Sequence, residues 1–387
     1  MSIPLRTPLH ERWKTLGKIR SALRRRYYEV VRRTLATDDG RQIIRDAASS
    51  LRVQHPGALL HDVDLASPYS DLGTTRAELL PSHRSDVVIM TGRFRSGSTL
   101  LWNLFRQAGG FTAYYEPLNE RRWFDPTARG DRTDSTHRNV SDYWREYNGL
   151  ETLSRFYRED WIRRDLLMDE LAWDPDLRSY VDTLIDRAIG RPALQFNRID
   201  FRLPWFRRHY PNATYIHIYR HPRDQWWSTL MGDVKLFTKN AGFVDFPPFD
   251  RFYLGMWAQD LKYYFPFLEE GQNSHPYQIF YYIWKLSYLF GVKYCDYSVQ
   301  FESLVTDPDA EIANLFRVVG AKPVDLPALR GIVVAPPLGK WCEYAEAAWF
   351  ENHESRCDEV LNGFLGRSDG SSAVNTANHE ISVRLGA

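Results

Sequence analysis

The sequence predicts an α/β fold with a central, mainly parallel β-sheet. Residues 86–91 (DVVIMT) form a short β-branched apolar run, the composition expected of a strand buried in a parallel sheet. A glycine-containing loop and a helical pattern follow this run directly. Further short runs rich in β-branched and aromatic residues occur later, and we assign strands to residues 111–115, 193–197, 214–219 and 297–301.

The first predicted strand leads into a loop that suits an anion. Residues 92–97 (GRFRSG) are mostly small or basic, and a helical pattern begins at Ser98 or Thr99. Such a turn directs backbone N–H groups and the positive end of a helix dipole at one point, where phosphate or sulfate binds well. Arg93 and Arg95 add positive charge and hydrogen-bond donors. The alternative is an ordinary strand-to-helix turn without a ligand.

The strand at residues 214–219 is followed by a second group of polar residues. Arg220 lies at its carboxyl end, and Pro222 ends the strand because it cannot donate a ladder hydrogen bond. Asp224 is a candidate N-cap of the next helix, which places Ser228 one turn beyond the cap. A guanidinium and a hydroxyl at this position could hold a second phosphate group. Pairing of Arg220 with Asp224 across the turn is an equally good alternative.

Glu116, which is followed by Pro117, comes directly after the predicted strand at residues 111–115. The carboxyl ends of strands form the edge at which open α/β sheets bind ligands, so this carboxylate is a candidate site residue. The alternative is a glutamate in an ordinary surface turn, and the local sequence alone favours that alternative.

The composition argues against several classes of protein. The formal net charge of the 387 residues is +1, which gives no reason to expect a nucleic-acid partner. The three cysteines, Cys295, Cys342 and Cys357, show no C-x-x-C spacing, so neither a disulfide framework nor a zinc site is indicated. No apolar run reaches about 18 residues, and the N-terminus does not resemble a secretory signal. We therefore expect a cytoplasmic protein.

Three segments are predicted along the chain. Residues 1–80 form a helical N-terminal extension, residues 81–365 the main domain, and residues 366–387 a Ser-, Asn- and Gly-rich tail that we expect to be disordered. Within the extension, residues 10–34 combine basic residues with apolar residues near helical spacing. Such a helix could lie on an anionic membrane. Packing on its own domain or on a partner in a homodimer is the favoured alternative, because the apolar stripe is narrow.

Four segments of the sequence, in order, resemble motifs of the sulfotransferases. Residues 95–101 (RSGSTLL) resemble the loop with which that family binds a 5′-phosphosulfate. Residues 219–224 (YRHPRD), together with Ser228, are similar to its 3′-phosphate-binding segment. Residues 299–308 (VQFESLVTDP) resemble its V-x-Y-E-x-L-x-x-D-P stretch, and residues 339–341 (GKW) its C-terminal G-[KR]-W loop.

The resemblance spans about residues 86–345 and implies a three-layer, P-loop-like α/β fold. It implies that the protein uses 3′-phosphoadenosine 5′-phosphosulfate (PAPS) as co-substrate, without a metal, and transfers its sulfuryl group to a hydroxyl by in-line displacement. Phe301 stands where the family usually has a tyrosine, so a hydroxyl contact is missing there. The residues expected to bind PAPS are Arg93, Arg95, Ser96, Gly97, Ser98, Thr99, Arg220, Ser228, Lys340 and Trp341.

The resemblance also implies roles for single residues. Residues 95–99 would hold the 5′-phosphosulfate, Arg220 and Ser228 would hold the 3′-phosphate, and Lys340 could close over the nucleotide. Sulfuryl transfer resembles phosphoryl transfer, in which positioning and electrostatic stabilisation dominate. Residue Arg95 would therefore stabilise the oxygen that leaves.

An acceptor hydroxyl needs a base within hydrogen-bond reach. In the branches of the family that act on carbohydrates and on protein tyrosines, that base is a glutamate one strand after the phosphosulfate loop. Glu116 falls at this position, so the resemblance implies that Glu116 is the catalytic base. The cytosolic small-molecule branch uses a histidine instead, but we expect His217 and His221 to be structural.

The acceptor itself is expected to be a glycan, a glycolipid or a secondary metabolite. Two other functions stay open at this point. One is a P-loop kinase or NTPase, although the loop lacks the Walker A lysine and the sequence offers no clear Mg²⁺-binding aspartate on a neighbouring strand. The other is a catalytically silent nucleotide-binding protein, which the presence of Glu116 argues against.

Overall fold

A computed structural model of the protein describes residues 26–31, 33, 34, 37, 40, 84–134, 137, 139–230, 238–245 and 252–366. The chain divides into two compact units, residues 1–66 and 67–387. In the first unit, residues 26–31 and 33–34 are helical. Most of the predicted N-terminal extension and nearly all of the predicted tail lie outside the described residues, so both predictions stay open.

Five parallel strands form the central sheet, in the order β2-β3-β1-β4-β5. Each of the strands predicted from the sequence is present, with bounds within two residues of those expected. The predicted α/β class with a parallel central sheet is therefore confirmed. The strands are β1 (Val88–Thr91), β2 (Phe111–Tyr115), β3 (Arg191–Phe196), β4 (Thr214–Tyr219) and β5 (Tyr297–Gln300).

Ten α-helices accompany the sheet in the part of the chain from residue 84 to residue 366 that the structure describes. None of the helices in the described ranges combines the length and the apolar character that crossing a membrane requires. The helices are α1 (Ser98–Gln107), α2 (Pro175–Arg187), α3 (Leu203–His209), α4 (Pro222–Leu230), α5 (Leu254–Leu261), α6 (Pro276–Tyr294), α7 (Phe301–Thr306), α8 (Pro308–Val318), α9 (Leu326–Ile332) and α10 (Ala347–Phe364).

Residues 151–190 are charged but periodically apolar, a pattern that predicts two helices, whereas the structure has one α-helix there, α2. The part before α2 forms only short 3-10 turns, at Glu151–Arg155 and Glu159–Ile162. At and after the second turn, the buried guanidinium of Arg202 donates hydrogen bonds to the backbone carbonyls of Trp161, Arg164 and Asp165. Because a side chain satisfies these carbonyls, residues 161–165 do not need the hydrogen bonds of a continuous helix.

The register of β1 with its neighbours places the ends of the strands side by side. Thr91, the last residue of β1, is level with Phe196 at the end of β3 and with His217 in β4. Tyr115, at the end of β2, is level with Gln195. The segments that follow these strands therefore meet at one edge of the sheet, the edge at which open α/β sheets bind ligands.

The buried apolar residues form two clusters within the described part of the chain. The larger cluster joins the sheet to α1, α2, α3 and α8. The second is formed by residues of α4, α5, α6 and α10, and it includes Trp226. Trp226 is 1% exposed and packs on Tyr277 and Phe280, as expected of a packing residue.

Two helical glycines differ in the space around them and provide a test of this packing. A methyl group at Gly291 in α6 would overlap the ring of His217 in β4, whereas one at Gly363 in α10 meets no atom within 4 Å. We expect Gly291→Ala to lower the free energy of unfolding by about 1–3 kcal/mol through overpacking. Gly363→Ala should leave it unchanged or raise it by about 0.5–1 kcal/mol, because alanine favours a helix. Equal effects of the two substitutions in urea unfolding would contradict the packing of α6 on β4.

Candidate active site

A cavity of about 1020 Å³ opens where the segments after β1, β2, β3 and β4 meet. The predicted site residues Arg93, Ser96, Ser228, Lys340 and Trp341 are not among those that border it. The predicted site residues that do border it are Arg95, Gly97, Ser98, Thr99, Glu116 and Arg220.

The loop between β1 and α1 requires glycine at two positions. A methyl group at Gly92 would approach Cγ2 of Ile218 to 2.5 Å, and Gly97 has a φ of 98° with the ring of Phe301 where a side chain would lie. Gly97 precedes α1, whose N-terminus receives no hydrogen bond from a side-chain cap. The hydroxyl of Ser96 is buried and has no hydrogen-bond partner among the described residues. This loop therefore presents donors that an anion could use.

Arg95 connects this loop to the segment after β4. Its Nε donates a hydrogen bond of 2.9 Å to Oγ of Ser228 in α4, and its carbonyl oxygen lies 3.4 Å from Nη1 of Arg220. Arg95 also has a left-handed backbone, with a φ of 66°, which is uncommon for a residue with a side chain. The two segments in which anion sites were predicted from separate motifs are therefore in direct contact.

The side chain of Arg220 is supported by an aromatic ring. Its guanidinium lies 4.9 Å from the centre of the Phe301 ring, and its buried Nε has no hydrogen-bond partner among the described residues. Burial lowers the pKa of Arg220, and the charges of Asp224 and Glu302 oppose this effect. Phe301 thus offers a ring face to the cation in place of the tyrosine hydroxyl of the related motif.

Asp224 does not cap α4, so this prediction was wrong. The helix begins at Pro222, and Asp224 lies in its first turn. The carboxylate instead accepts hydrogen bonds from the backbone N–H groups of Gly339 (2.9 Å) and Trp341 (3.4 Å). Because the loop at residues 339–341 engages both carboxylate oxygens, Asp224 does not form the ion pair with Arg220 that was the alternative prediction.

Lys340 and Trp341 lie beside α4 and α10 and do not border the cavity. The Nζ atom of Lys340 is 5.1 Å from the centre of the Trp227 ring. The ring of Trp341 is nearly parallel to that of His221, with centres 6.4 Å apart, and packs on Phe350. In this arrangement the hydrogen bonds to Asp224 hold the loop at the edge of the predicted nucleotide surface.

Arg93 lies on the buried side of the loop. It is 7% exposed, and its guanidinium lies 4.2 Å from the centre of the Trp257 ring. Burial raises the pKa of Asp200, while the charge of Arg93 opposes this rise. Asp200 accepts hydrogen bonds from the hydroxyls of Thr91 (2.5 Å) and Ser287 (2.7 Å). These contacts fix the end of β1 beneath the loop.

Glu116 lies at the carboxyl end of β2 and is 8% exposed. Its Oε2 accepts a hydrogen bond of 2.5 Å from Nδ2 of Asn119 and lies 3.5 Å from Nη1 of Arg198. Burial and the negative charge of Glu116 raise the pKa of Tyr115 well above its usual value, and the Tyr115 hydroxyl lies 3.0 Å from Oγ1 of Thr99. The carboxylate is therefore close to the first turn of α1.

A family model described as "Sulfotransferase family" matches residues 87–325, which is more than half of the 387-residue chain. The chain belongs to the sulfotransferase family. The matched region begins at β1 and extends to the residue before α9, so it contains the loop after β1, Glu116, Arg220 and Ser228. The membership indicated by the four sequence motifs is thus confirmed.

Two solved structures are similar to this sulfotransferase. One is a sulfotransferase from Alicyclobacillus acidocaldarius, with 16% identity, a TM-score of 0.32 and coverage of 73% of this chain and 96% of that one. The other is a retinol dehydratase in complex with androsterone and inactive cofactor PAP, with 14% identity, a TM-score of 0.30 and coverage of 75% and 83%. No curated protein matches the sequence. The family membership rests on the family model.

The residues that line this sulfotransferase's cavity and were not found from its sequence include Arg198, Ile332 and residues 334–337. Arg198 follows β3 and is 2% exposed. The signal that could have found it is its place directly after a predicted strand, which it shares with Glu116 and Arg220. Ile332 and residues 334–337 (VAPP) also border the cavity, but a short apolar segment with two prolines carries no recognisable chemistry.

His217 and His221 occupy different environments in the sulfotransferase. His217 is 1% exposed in β4, and burial lowers its pKa to about 3, so the ring is neutral, and its Nδ1 lies 3.4 Å from Oγ of Ser298. His221 is exposed beyond the end of β4, and its backbone N–H donates to Oε1 of Glu302. Neither histidine borders the cavity.

The hydrogen bonds of Asp224 can be tested by stability measurements. In Asp224→Ala, the N–H groups of Gly339 and Trp341 lose their acceptor, so we expect the free energy of unfolding to fall by about 1–3 kcal/mol. Asp309→Ala is the matched control, because Asp309 pairs with Arg330 (3.2 Å) at a site where both side chains are more than half exposed. Such a pair contributes less than about 1 kcal/mol. A loss for Asp224→Ala no larger than for Asp309→Ala in urea unfolding would contradict the anchoring role.

Proposed function

We propose that the protein transfers the sulfuryl group of PAPS to a hydroxyl of a small-molecule or glycan acceptor. The observation that carries this proposal is the hydrogen bond between Arg95 and Ser228, which brings the two predicted anion sites into contact. A nucleotide with phosphate groups at both its 3′ and 5′ positions matches two such neighbouring sites. Glu116 borders the same cavity and supplies a carboxylate near the loop.

The residues present fit the charges and donors that PAPS requires. The 5′-phosphosulfate would accept hydrogen bonds from the backbone of residues 96–99, from the hydroxyl of Ser96 and from the guanidinium of Arg95. The 3′-phosphate would lie at Arg220, whose buried Nε lacks a partner among the described residues, and at Ser228. We assign Arg93 a supporting role beneath the loop, and Lys340 and Trp341 a role in closing over the nucleotide.

The chemistry follows from these positions. Arg95 and the N-terminus of α1 place positive charge where negative charge develops on the leaving oxygen. Glu116 takes the proton of the attacking hydroxyl, and Asn119 and Arg198 hold its Oε2 while it does so. Fixing both reactants at one edge of the sheet favours an in-line approach, since positioning dominates this type of transfer.

The acceptor would lie on an aromatic wall. Tyr115, Trp123 and Tyr143 border the cavity, and the rings of Tyr115 and Tyr143 stack with centres 4.6 Å apart. Flat aromatic surfaces suit a sugar ring or a planar phenol. This wall supports a glycan, a glycolipid or an aromatic metabolite as acceptor, within a catalytic domain that we place at residues 81–365.

A kinase would need an acidic Mg²⁺ ligand beside the loop. Asp200, which follows β3, lies beside the end of β1, where it accepts a hydrogen bond from Thr91. Its two carboxylate oxygens accept hydrogen bonds from Thr91 and Ser287, and it does not border the cavity. The position of Asp200 therefore favours sulfuryl transfer over a kinase reaction.

Nucleotide binding can be measured without knowledge of the acceptor. We expect 3′-phosphoadenosine 5′-phosphate (PAP) to bind in a calorimetric titration with a dissociation constant in the micromolar range, and ATP with Mg²⁺ to bind much more weakly. Arg220→Ala should weaken PAP binding by roughly tenfold to a hundredfold, because a charge-assisted hydrogen bond contributes about 1.5–3 kcal/mol. Arg330→Ala, which removes an exposed arginine outside the cavity, is the matched control. Preference for ATP would overturn the proposed function.

The role of Glu116 can be tested separately from binding. Glu116→Gln should bind PAP like the unmodified protein but lose a factor of about 10²–10⁴ in kcat, because an amide cannot accept the acceptor's proton. Glu120→Gln is the comparison, since Glu120 borders the same cavity and also contacts Arg198, and it should lose much less. The measurement is PAP released from PAPS with a hydroxyl acceptor found by screening. A Glu116→Gln enzyme that works at nearly the original rate would rule out this base.

A further inference from the structure

His137 borders the cavity on the side that we assign to the acceptor. Its backbone N–H donates a hydrogen bond of 2.9 Å to the carbonyl oxygen of Asp134. Its half-buried ring stands nearly perpendicular to the ring of Tyr143, at an angle of 80° and with centres 5.8 Å apart. The histidine therefore lies at the edge of the aromatic wall that Tyr115, Trp123 and Tyr143 form.

The hydroxyl of Tyr143 holds one side of the histidine ring. Its oxygen is hydrogen-bonded to Nδ1 of His137, and it also accepts the backbone N–H of Asp134 at 3.0 Å. Burial raises the pKa of Tyr143 to about 12, so the hydroxyl keeps its hydrogen near neutral pH. Among the described residues, Nδ1 of His137 is the acceptor within reach of that hydrogen. We therefore assign the hydroxyl as the donor and Nδ1 as the acceptor.

This hydrogen bond decides which nitrogen of His137 carries the proton. Burial lowers the pKa of His137; the charge of Asp134 opposes this effect and the charge of Arg95 adds to it, so the ring is neutral near neutral pH. A neutral imidazole that accepts a hydrogen bond at Nδ1 has its proton on Nε2. Nε2 has no hydrogen-bond partner among the described residues. His137 thus offers an N–H donor to a ligand in the cavity.

We propose that His137 is a specificity-determining residue of the acceptor site: its Nε2–H donates a hydrogen bond to an oxygen of the acceptor other than the hydroxyl that receives the sulfuryl group. The proposal rests on the proposed function, which assigns this side of the cavity to the acceptor. It narrows the acceptor to a ring compound with at least one further oxygen, such as a sugar or a phenol with an ether or carbonyl group. A phenol without one leaves the donor unpaired, which costs affinity.

This role differs from that of a catalytic base. Nδ1 of His137 is occupied by the hydroxyl of Tyr143, and Nε2 carries the proton, so neither nitrogen of the neutral ring is free to accept the proton of the attacking hydroxyl. Glu116 keeps that role in the proposed mechanism.

A chain of contacts connects His137 to the loop after β1. The ring of Tyr143 stacks on that of Tyr115, with centres 4.6 Å apart, and the hydroxyl of Tyr115 lies 3.0 Å from Oγ1 of Thr99 in the first turn of α1. An acceptor bound at His137 is therefore held in a fixed position relative to the loop that would hold the phosphosulfate. Such positioning favours transfer as well as binding.

The position of the proton can be measured in the protein saturated with PAP. The histidines are labelled with ¹⁵N, and the signals of His137 in a long-range ¹H–¹⁵N correlation spectrum are assigned by their loss in His137→Gln. Near neutral pH we expect a proton on Nε2 and none on Nδ1. A proton on Nδ1 would overturn the proposal, because the hydrogen bond to Tyr143 would then leave Nε2 without the assigned role.

The donor itself is tested with pairs of phenols that differ by one oxygen. The probes are the three positional isomers of methoxyphenol and the corresponding ethylphenols, in which a methylene group replaces the ether oxygen. Their dissociation constants are measured by NMR titration of the PAP-bound protein. In His137→Phe, at least one methoxyphenol should lose about threefold to tenfold in affinity relative to its ethylphenol, the contribution of one hydrogen bond. His137→Gln, whose side-chain amide keeps a donor, should restore most of this loss.

A purely structural role of His137 would weaken both members of a pair alike. An unchanged ratio of dissociation constants in all three pairs, or no binding of any methoxyphenol to the unmodified protein, would overturn the proposal. If His137→Phe does not fold, the unmodified protein still decides the matter: a methoxyphenol should shift the Nε2–H signal of His137, and its ethylphenol should shift it much less. Failure of PAP to bind would instead refute the proposed function, which is a separate outcome.

Discussion

The site depends on the parallel register of β1 with β3 and β4. Thr91 is level with Phe196 on one side and with His217 on the other, so the loop after β1 lies between the segments that follow its two neighbours. A shift of one residue would turn alternate side chains to the other face and separate Arg95 from Ser228. The hydrogen bond between those two residues is thus a consequence of strand pairing, although they are 133 residues apart in the sequence.

In addition to this register, two residues of the candidate active site have unfavourable backbone conformations. Arg95 and Glu116 have φ values of 66° and 40°, and Glu116 precedes a proline, which restricts its backbone further. Left-handed conformations at residues other than glycine cost about 1–3 kcal/mol each and persist where the surroundings fix them. Here the surroundings are visible: Arg95 bonds to Ser228, and Asn119 and Arg198 hold the Glu116 side chain. The unusual backbone conformation therefore gives both side chains an orientation that an ordinary turn would not give them.

The sequence was sufficient for the strands and for most positions at the carboxyl edge, because both follow from local patterns. It could not predict that Asp224 would serve the loop at residues 339–341, since the partners are more than a hundred residues apart. It could not predict the 3-10 turn at Glu159–Ile162 for the same reason, because Arg202 satisfies the carbonyls of Trp161 and Arg164 from outside the segment. Arg198 was missed although its position after β3 was predictable. The sequence pattern could not predict that Arg198 is buried between Glu116 and Glu120.

The charges that border the cavity explain why the net charge of the chain says little about its ligands. Of the lining residues, five are arginines and three are carboxylates, but all three carboxylates lie between residues 115 and 143. The half formed by the loop after β1 and the segment after β4 contains Arg95 and Arg220 and no carboxylate. In the other half, Glu116, Glu120 and Asp134 balance the three remaining arginines, Arg121, Arg132 and Arg198. The positive charge of the first half therefore favours a polyanionic sulfuryl donor. The charges of the second half are balanced, so they do not require a charged acceptor.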